Sequence, residues 1–400
     1  MTTRVKAARD YWLLWTGSGL SNLGDGIRLT ALPLLAATLT RDPLAVSGVF
    51  AATTAPWIVF GPIGGSLVDR ANRQRLMVWG QLARGLTVAG LAVVVATGQV
   101  AMWHLYLVGV VIGIGEVLVD SSSQAAIPLL AGNLDLEQAN SRLMAAEFAL
   151  NDLIGGPVGA FLFTLAAAVP FGIDSATFIL GALLISLIRT PMQQVRPESR
   201  QTMRADILEG IRFVWRHDLL RGLALSVALA NFSMGAGGSV LVLLAIDALG
   251  MTDPQYGLLV GLGSIGGLIG AVTASRISFR IGRRWTMTSG AGLLALGQLT
   301  LGLAIGGVMA GAGLFLGLFG ATIFSVVGRS LRQSASPDRL LGRVVASFRL
   351  IAVGVLPLGA LFGGWVARQV GLRFPYLLAS GLIAIAAIVI YRVSTPERVT

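Results

Sequence analysis

The chain has 400 residues, of which 54% are apolar and 12% charged, about half the charged share of a soluble domain (roughly 25%). So few charges cannot cover a water-soluble body with that much apolar side chain. This excludes an ordinary soluble enzyme, a disulfide-stapled secreted scaffold and a disordered chain. The formal charge is +11, nearly all of it arginine, with Lys6 the only lysine. There is no cysteine, and His104 and His217 lie far apart, so no metal site and no cofactor is expected.

A membrane-spanning helix consumes about 20 apolar residues. Twelve apolar runs follow one another, at roughly 12–37, 44–67, 76–97, 102–127, 141–167, 171–189, 220–246, 255–278, 286–305, 308–331, 343–367 and 373–392. The first follows Arg4, Lys6 and Arg9. It is long and ends in no small-residue cleavage pattern, so it reads as a span rather than a cleavable leader. Glycine is dense throughout, at 52 residues. In a bilayer the backbone finds no water, helices persist, and small residues let them approach closely. Gly257, Gly261, Gly266 and Gly270 fit that role. The expected fold is an all-α integral membrane protein with twelve transmembrane helices in two pseudo-symmetric six-helix bundles.

Basic residues accumulate on cytoplasmic loops of membrane proteins. Here they cluster after runs 2, 6, 8, 10 and 12, as in Arg70, Arg73 and Arg75 or Arg276, Arg280, Arg283 and Arg284. The alternate loops carry little beyond Arg41, Arg368 and Arg373. Both termini are therefore expected in the cytoplasm of a cell-membrane protein, and the asymmetry removes nucleic acid as an explanation of the charge. The chain also reads as a duplication. Pro157-Val158-Gly159-Ala160 recurs as Pro357-Leu358-Gly359-Ala360, half a chain away. Two bundles, 1–190 and 219–400, would flank a polar linker at 191–218. Duplicated halves around a midplane site are common in secondary transporters.

The stretch Gly65-Ser66-Leu67-Val68-Asp69-Arg70-Ala71-Asn72-Arg73-Gln74-Arg75 joins runs 2 and 3. A plain basic loop explains its arginines but not Asp69 together with Gly65 and Asn72. Asn72 can take a left-handed turn, and the chain is expected to reverse there. The stretch resembles the signature loop of the major facilitator superfamily, with Asn72 in place of the second glycine. The resemblance implies that Gly65, Asp69, Arg70, Asn72 and Arg73 form a gate on the cytoplasmic side. Leu23-Gly24-Asp25, Ala31-Leu32-Pro33-Leu34 and Ala125-Ala126-Ile127-Pro128 extend it. Gly156, Pro157 and Gly159 look like a shortened antiporter motif that packs helices. Together they resemble the drug exporters that include macrolide efflux proteins and the enterobactin exporter. That implies a monomeric carrier, not an enzyme, working among membrane lipids.

Ionisable groups in hydrocarbon are expensive and usually face the bundle interior. Asp25 lies mid-run, with Arg28 one turn on along the same face. Glu116 and Asp120 share a face of run 4. Glu147 and Asn151 share one of run 5, with Asp152 turned away. A proton-coupling acid is expected among Asp25, Glu116, Asp120, Glu147 and Asp152. The duller reading is a static ion pair, Asp25 with Arg28 or Asp120 with Arg84. Asn22, Arg28, Trp57, Asn151, Asn231, Phe232, Phe348 and Arg349 are candidates to meet substrate, being polar or aromatic in runs expected to face inward.

Gly261-Leu262-Gly263-Ser264-Ile265-Gly266 matches a dinucleotide fingerprint but lacks a strand before it, so it reads as helix packing. Residues 203–215 read as an amphipathic helix lying on the membrane surface. The expected function is export of a bulky amphipathic small molecule, such as a drug, macrolide or siderophore, by proton antiport. Lipid or lysolipid flipping and siderophore uptake are alternatives, and a non-transporting membrane sensor is a remoter one.

Overall fold

The computed structural model of the chain describes residues 2–61, 68, 71–131, 135–192 and 203–393, and among them there is helix and no strand. Ten helical stretches are long and apolar enough to cross a membrane. One of them, Asp253–Gly302, is 50 residues long and turns at Gly282, whose φ of 81° and ψ of 157° are open to glycine but not to other residues. Counting it as two helices and adding the 38-residue helix that carries Asp25 and Arg28 is consistent with twelve spans.

The chain divides into two compact units. The first comprises Met1–Leu39 and Ala52–Ser199, the second Thr40–Ala51 and Arg200–Thr400. The first unit is built from α1 (Thr2–Leu39), the end of α2 (Pro43–Thr54), α3 (Arg73–Ala96), α4 (Met102–Leu130), α5 (Leu136–Glu147), α6 (Gly156–Leu165) and α7 (Val169–Ser186). Tyr11, Leu14, Met77, Ile127, Leu130 and Ile185 form one of its apolar cores. Asp10 closes the unit by accepting from the Arg189 and Thr190 amides, at 3.1 and 2.8 Å. Gln74 donates to the carbonyls of Ile185 and Ile188 at 3.0 and 2.7 Å, which ties the start of α3 to the end of α7.

The second unit holds α8 (Met203–Arg216), α9 (Asp218–Gly238), α10 (Asp253–Gly302), α11 (Gly307–Ser334), α12 (Asp338–Gly354), α13 (Leu356–Val370) and α14 (Phe374–Val393). Its core gathers Leu220, Leu223, Met287, Phe324, Val344 and Ile383. The amphipathic segment is a helix, α8, but part of the apolar face expected on a membrane surface turns inward. Val214 is buried in this core, Glu209 pairs with Arg343 of α12, and a Cβ on Gly210 would come within 2.5 Å of the Arg343 carbonyl.

The repeated motif is a repeated helix crossing. A Cβ on Gly159 would come within 2.2 Å of the Ile27 carbonyl of α1, and one on Gly359 within 2.1 Å of the Phe232 carbonyl of α9. In each case a proline in the first turn starts the helix, where its missing N–H leaves no helical bond unmade. The dinucleotide-like glycines also pack helices: a Cβ on Gly266 would meet the Phe315 carbonyl of α11 at 2.3 Å.

Candidate functional site

The first unit buries a cluster of charges. Arg28 Nη2 donates to Asp25 Oδ1 at 2.5 Å, which i,i+3 spacing on α1 permits. Arg84 of α3 reaches the same carboxylate with Nη2, 2.5 Å from Oδ1 and 2.7 Å from Oδ2. Arg28 Nε lies 3.2 Å from Oδ2 of Asp174 on α7. Arg28, Arg84 and Asp174 are 4%, 2% and 0% exposed, so two cations and two anions balance almost out of reach of solvent. Small residues make the room. A Cβ on Gly24 would fall 2.5 Å from Asp174 Oδ1, and one on Gly115 would fall 2.6 Å from the Arg84 side chain. The Arg84 guanidinium also sits 4.0 Å over the Phe178 ring, and Gln81 donates to Ser21 Oγ at 2.5 Å beside it.

Glu116 and Asp120 are half-buried on α4. Glu116 is within electrostatic reach of Asp25, Arg28, Arg84 and Asp120, without a salt bridge of its own among the described residues. Glu147 and Asp152 are exposed, and Asn151 is half-buried with its Oδ1 fully covered. Glu147 precedes a segment that departs from the α-helical period assumed for Asn151 and Asp152. Phe148–Gly155 is π-helical, so its hydrogen bonds span five residues. At this segment the chain meets α1 closely: a Cβ on Gly26 would lie 2.2 Å from the Asn151 carbonyl.

Three of the candidate substrate residues come together in the second unit. Asn231, Phe348 and Arg349 line one cavity of about 590 Å³. Asn231 also donates to the Ala352 carbonyl at 2.7 Å, which ties α9 to α12. Phe232 instead packs its ring on Phe362, with centroids 5.4 Å apart. Arg28 belongs to the charge cluster, while Asn22 and Trp57 are half-buried in the first unit. Of the gate loop, Gly65, Asp69 and Arg70 lie outside the described residues. Asn72 does not take the expected left-handed turn. Its φ of −71° and ψ of 113° are extended, and its side chain caps α3 by accepting from the Arg75 amide at 3.1 Å. Capping satisfies an orphan amide of the first turn, which a left-handed residue placed there would not. Arg73 is buried and donates to the Ala125 carbonyl at 2.7 Å.

Sequence reasoning missed Asp174, Gln81, Arg329 and the part Arg332 plays in the cavity. Asp174 carried the same signal as the other acids, a carboxylate inside an apolar run. Arg329 and Arg332 were legible only as basic residues at the end of the tenth run.

Comparison with known proteins agrees with this architecture. Residues 7–399 match the family described as transmembrane secretion effector. The chain is 28% identical over 373 residues to the multidrug efflux pump Tap of Mycolicibacterium fortuitum, covering 89% of each protein. It is 26% identical over 379 residues to the enterobactin exporter EntS of Salmonella typhi, covering 93% of this chain and 89% of that one. In fold it is similar to the nucleoside transporter NupG, with a TM-score of 0.80 at 13% identity over 96% of this chain and 100% of NupG. A bacterial homologue of the iron transporter ferroportin gives a TM-score of 0.77 at 19% identity, covering 97% of this chain and 99% of that one. With the helical architecture and a match over nearly its whole length, the chain belongs to the transmembrane secretion effector family of major facilitator transporters.

Proposed function

We propose that this transporter exports a bulky amphipathic small molecule in exchange for protons, by alternating access, across a cell membrane with both chain ends in the cytoplasm. Export is supported by the efflux pump and exporter among its relatives, and the orientation by the loop arginines. The observation that carries proton coupling is a carboxyl in excess of the guanidiniums at the buried charge cluster of the first unit. Asp25 and Asp174 are balanced by Arg28 and Arg84, and Glu116 stands beside them as a third carboxyl. An uncompensated charge in hydrocarbon costs several kcal/mol. A proton taken up by Glu116 removes that charge, and its release restores it. Glu116 is thus the proton carrier, Asp120 its neighbour on the same face, and Asp25 the centre of the balanced cluster. Glu147 and Asp152 flank the π-helical segment and stand second.

Proteoliposomes with an imposed pH gradient test this against macrolides, dyes, siderophores and lysolipids. The wild-type protein is expected to move a solute against proton flow. Glu116→Gln should abolish the gradient-driven component while helicity and thermal unfolding stay unchanged. Gradient-driven efflux that survives in this variant rejects Glu116 as the carrier. Lysolipid movement that ignores the gradient would instead identify a flippase.

A further inference from the structure

The described residues that line the cavity of about 590 Å³ all belong to the second unit, and the charged ones among them are arginines. Arg329 and Arg332 enter it from the last turns of α11, three residues apart and so on one face, and Arg349 enters from α12. Among the described residues, none that lines it is Asp or Glu. The remaining wall is mainly apolar and includes Leu318, Val345 and Phe348. The Arg332 guanidinium lies 4.9 Å over the Phe348 ring, and its Nε is buried without a hydrogen-bond partner. Arg329 Nη2 donates to Ser325 Oγ at 3.1 Å. Basic residues at a cytoplasmic helix end are ordinary in membrane proteins. That accounts for the arginines but not for a cavity around them whose described wall residues include no acid.

We infer that this cavity binds an anionic amphiphile as the exported solute. Its apolar body would lie on Leu318, Val345 and Phe348. Its carboxylate, sulfonate or phosphate would lie between Arg329 and Arg332, where guanidiniums give charge-assisted, directional hydrogen bonds. A bound anion also screens two like charges held on one helix face. The inference rests on the export reading above and narrows it to a substrate charge.

Tetraphenylborate and tetraphenylphosphonium test it, because they share shape and apolar surface and differ in the sign of their charge. Binding to the full chain is measured in phosphatidylcholine nanodiscs, with empty discs subtracted. The wild-type protein is expected to hold the borate at least about tenfold more tightly than the phosphonium. Arg329→Gln with Arg332→Gln should bring the two within about twofold of each other, whereas lysine at both positions should keep most of the preference. Circular dichroism and thermal unfolding check that the variants fold. If the glutamine variant does not fold, the wild-type ratio still decides. Equal binding of the two ions, or preference for the phosphonium, overturns the inference, as does a preference that survives both glutamines.

Phosphatidylglycerol added to the discs separates solute from lipid. Unchanged borate binding supports a solute, and its loss assigns the cavity to a lipid headgroup and overturns the assignment. Solute export in the proteoliposome assay without any preference for the borate sinks this inference and leaves the exporter standing. Preference for the borate without export of any solute does the reverse.

Discussion

The two units share a helix crossing and differ in how they hold charge. In the first, Asp25, Arg28, Arg84 and Asp174 balance one another in the interior. In the second, Arg329 and Arg332 line a cavity with no acid among the described residues of its wall. The scaffold beneath them is common: Gly159 meets the Ile27 carbonyl and Gly359 the Phe232 carbonyl with nearly the same clearance. The contrast shows that a duplicated packing motif leaves the electrostatics of each half free to diverge.

The contrast is tested most strongly at Asp25. Asp25→Asn leaves Arg28 and Arg84 facing Asp174 alone, and breaking a buried pair in this way destabilises by about 3–5 kcal/mol. Arg329→Gln, at an exposed position, should change stability by no more than about 0.5 kcal/mol. Thermal unfolding of the purified protein in detergent reads both. Pairing Asp25→Asn with Arg84→Gln should recover part of the loss, with a coupling of about 0.5–3 kcal/mol. An Asp25→Asn protein as stable as the wild type would show that the first unit does not depend on its balanced charges, and the contrast would fail.

The shared scaffold is tested at the paired glycines. Leucine at Gly159 or at Gly359 forces side-chain atoms against a backbone carbonyl, and overpacking of this kind costs about 1–3 kcal/mol. The two substitutions should lower the unfolding temperature by similar amounts. A large loss at Gly159 with none at Gly359 would show that the motif is repeated in sequence but not in mechanical role.

The apolar runs could be read directly because a bilayer demands uninterrupted hydrocarbon over each crossing. Asp25 with Arg28 was legible for a similar reason, since helical spacing puts them on one face. Arg84 stands 59 residues from Asp25 on another helix, and no local periodicity announces that it meets Asp25. Asp174 was visible as an acid in an apolar run, but its partner was not. The π-helical form of Phe148–Gly155 was not legible, since nothing in the local sequence announces a departure from the α-helical period. The cavity was only partly legible: Asn231, Phe348 and Arg349 stood out as polar or aromatic residues, while the way Arg329 and Arg332 join them depends on how α11 meets α12.

The smallest effect, at Asn72→Gly, is expected at the turns that follow the second and eighth apolar runs, which the two units build differently. In the first, Asn72 caps α3 with its side chain and keeps a negative φ. In the second, Gly282 makes the turn through its backbone, at φ 81°. Gly282→Ala forces a side chain into a region nearly confined to glycine, at about 1–3 kcal/mol. Asn72→Ala removes one capping acceptor, at about 1 kcal/mol, and Asn72→Gly should cost only a few tenths. Hydrogen exchange of the Arg75 amide separates the two explanations of Asn72. With a capping role that amide exchanges faster in Asn72→Ala, and a left-handed role predicts instead that Asn72→Gly stabilises the turn. Faster exchange in Asn72→Ala without stabilisation in Asn72→Gly would establish that one unit turns by side-chain chemistry where the other turns by backbone freedom.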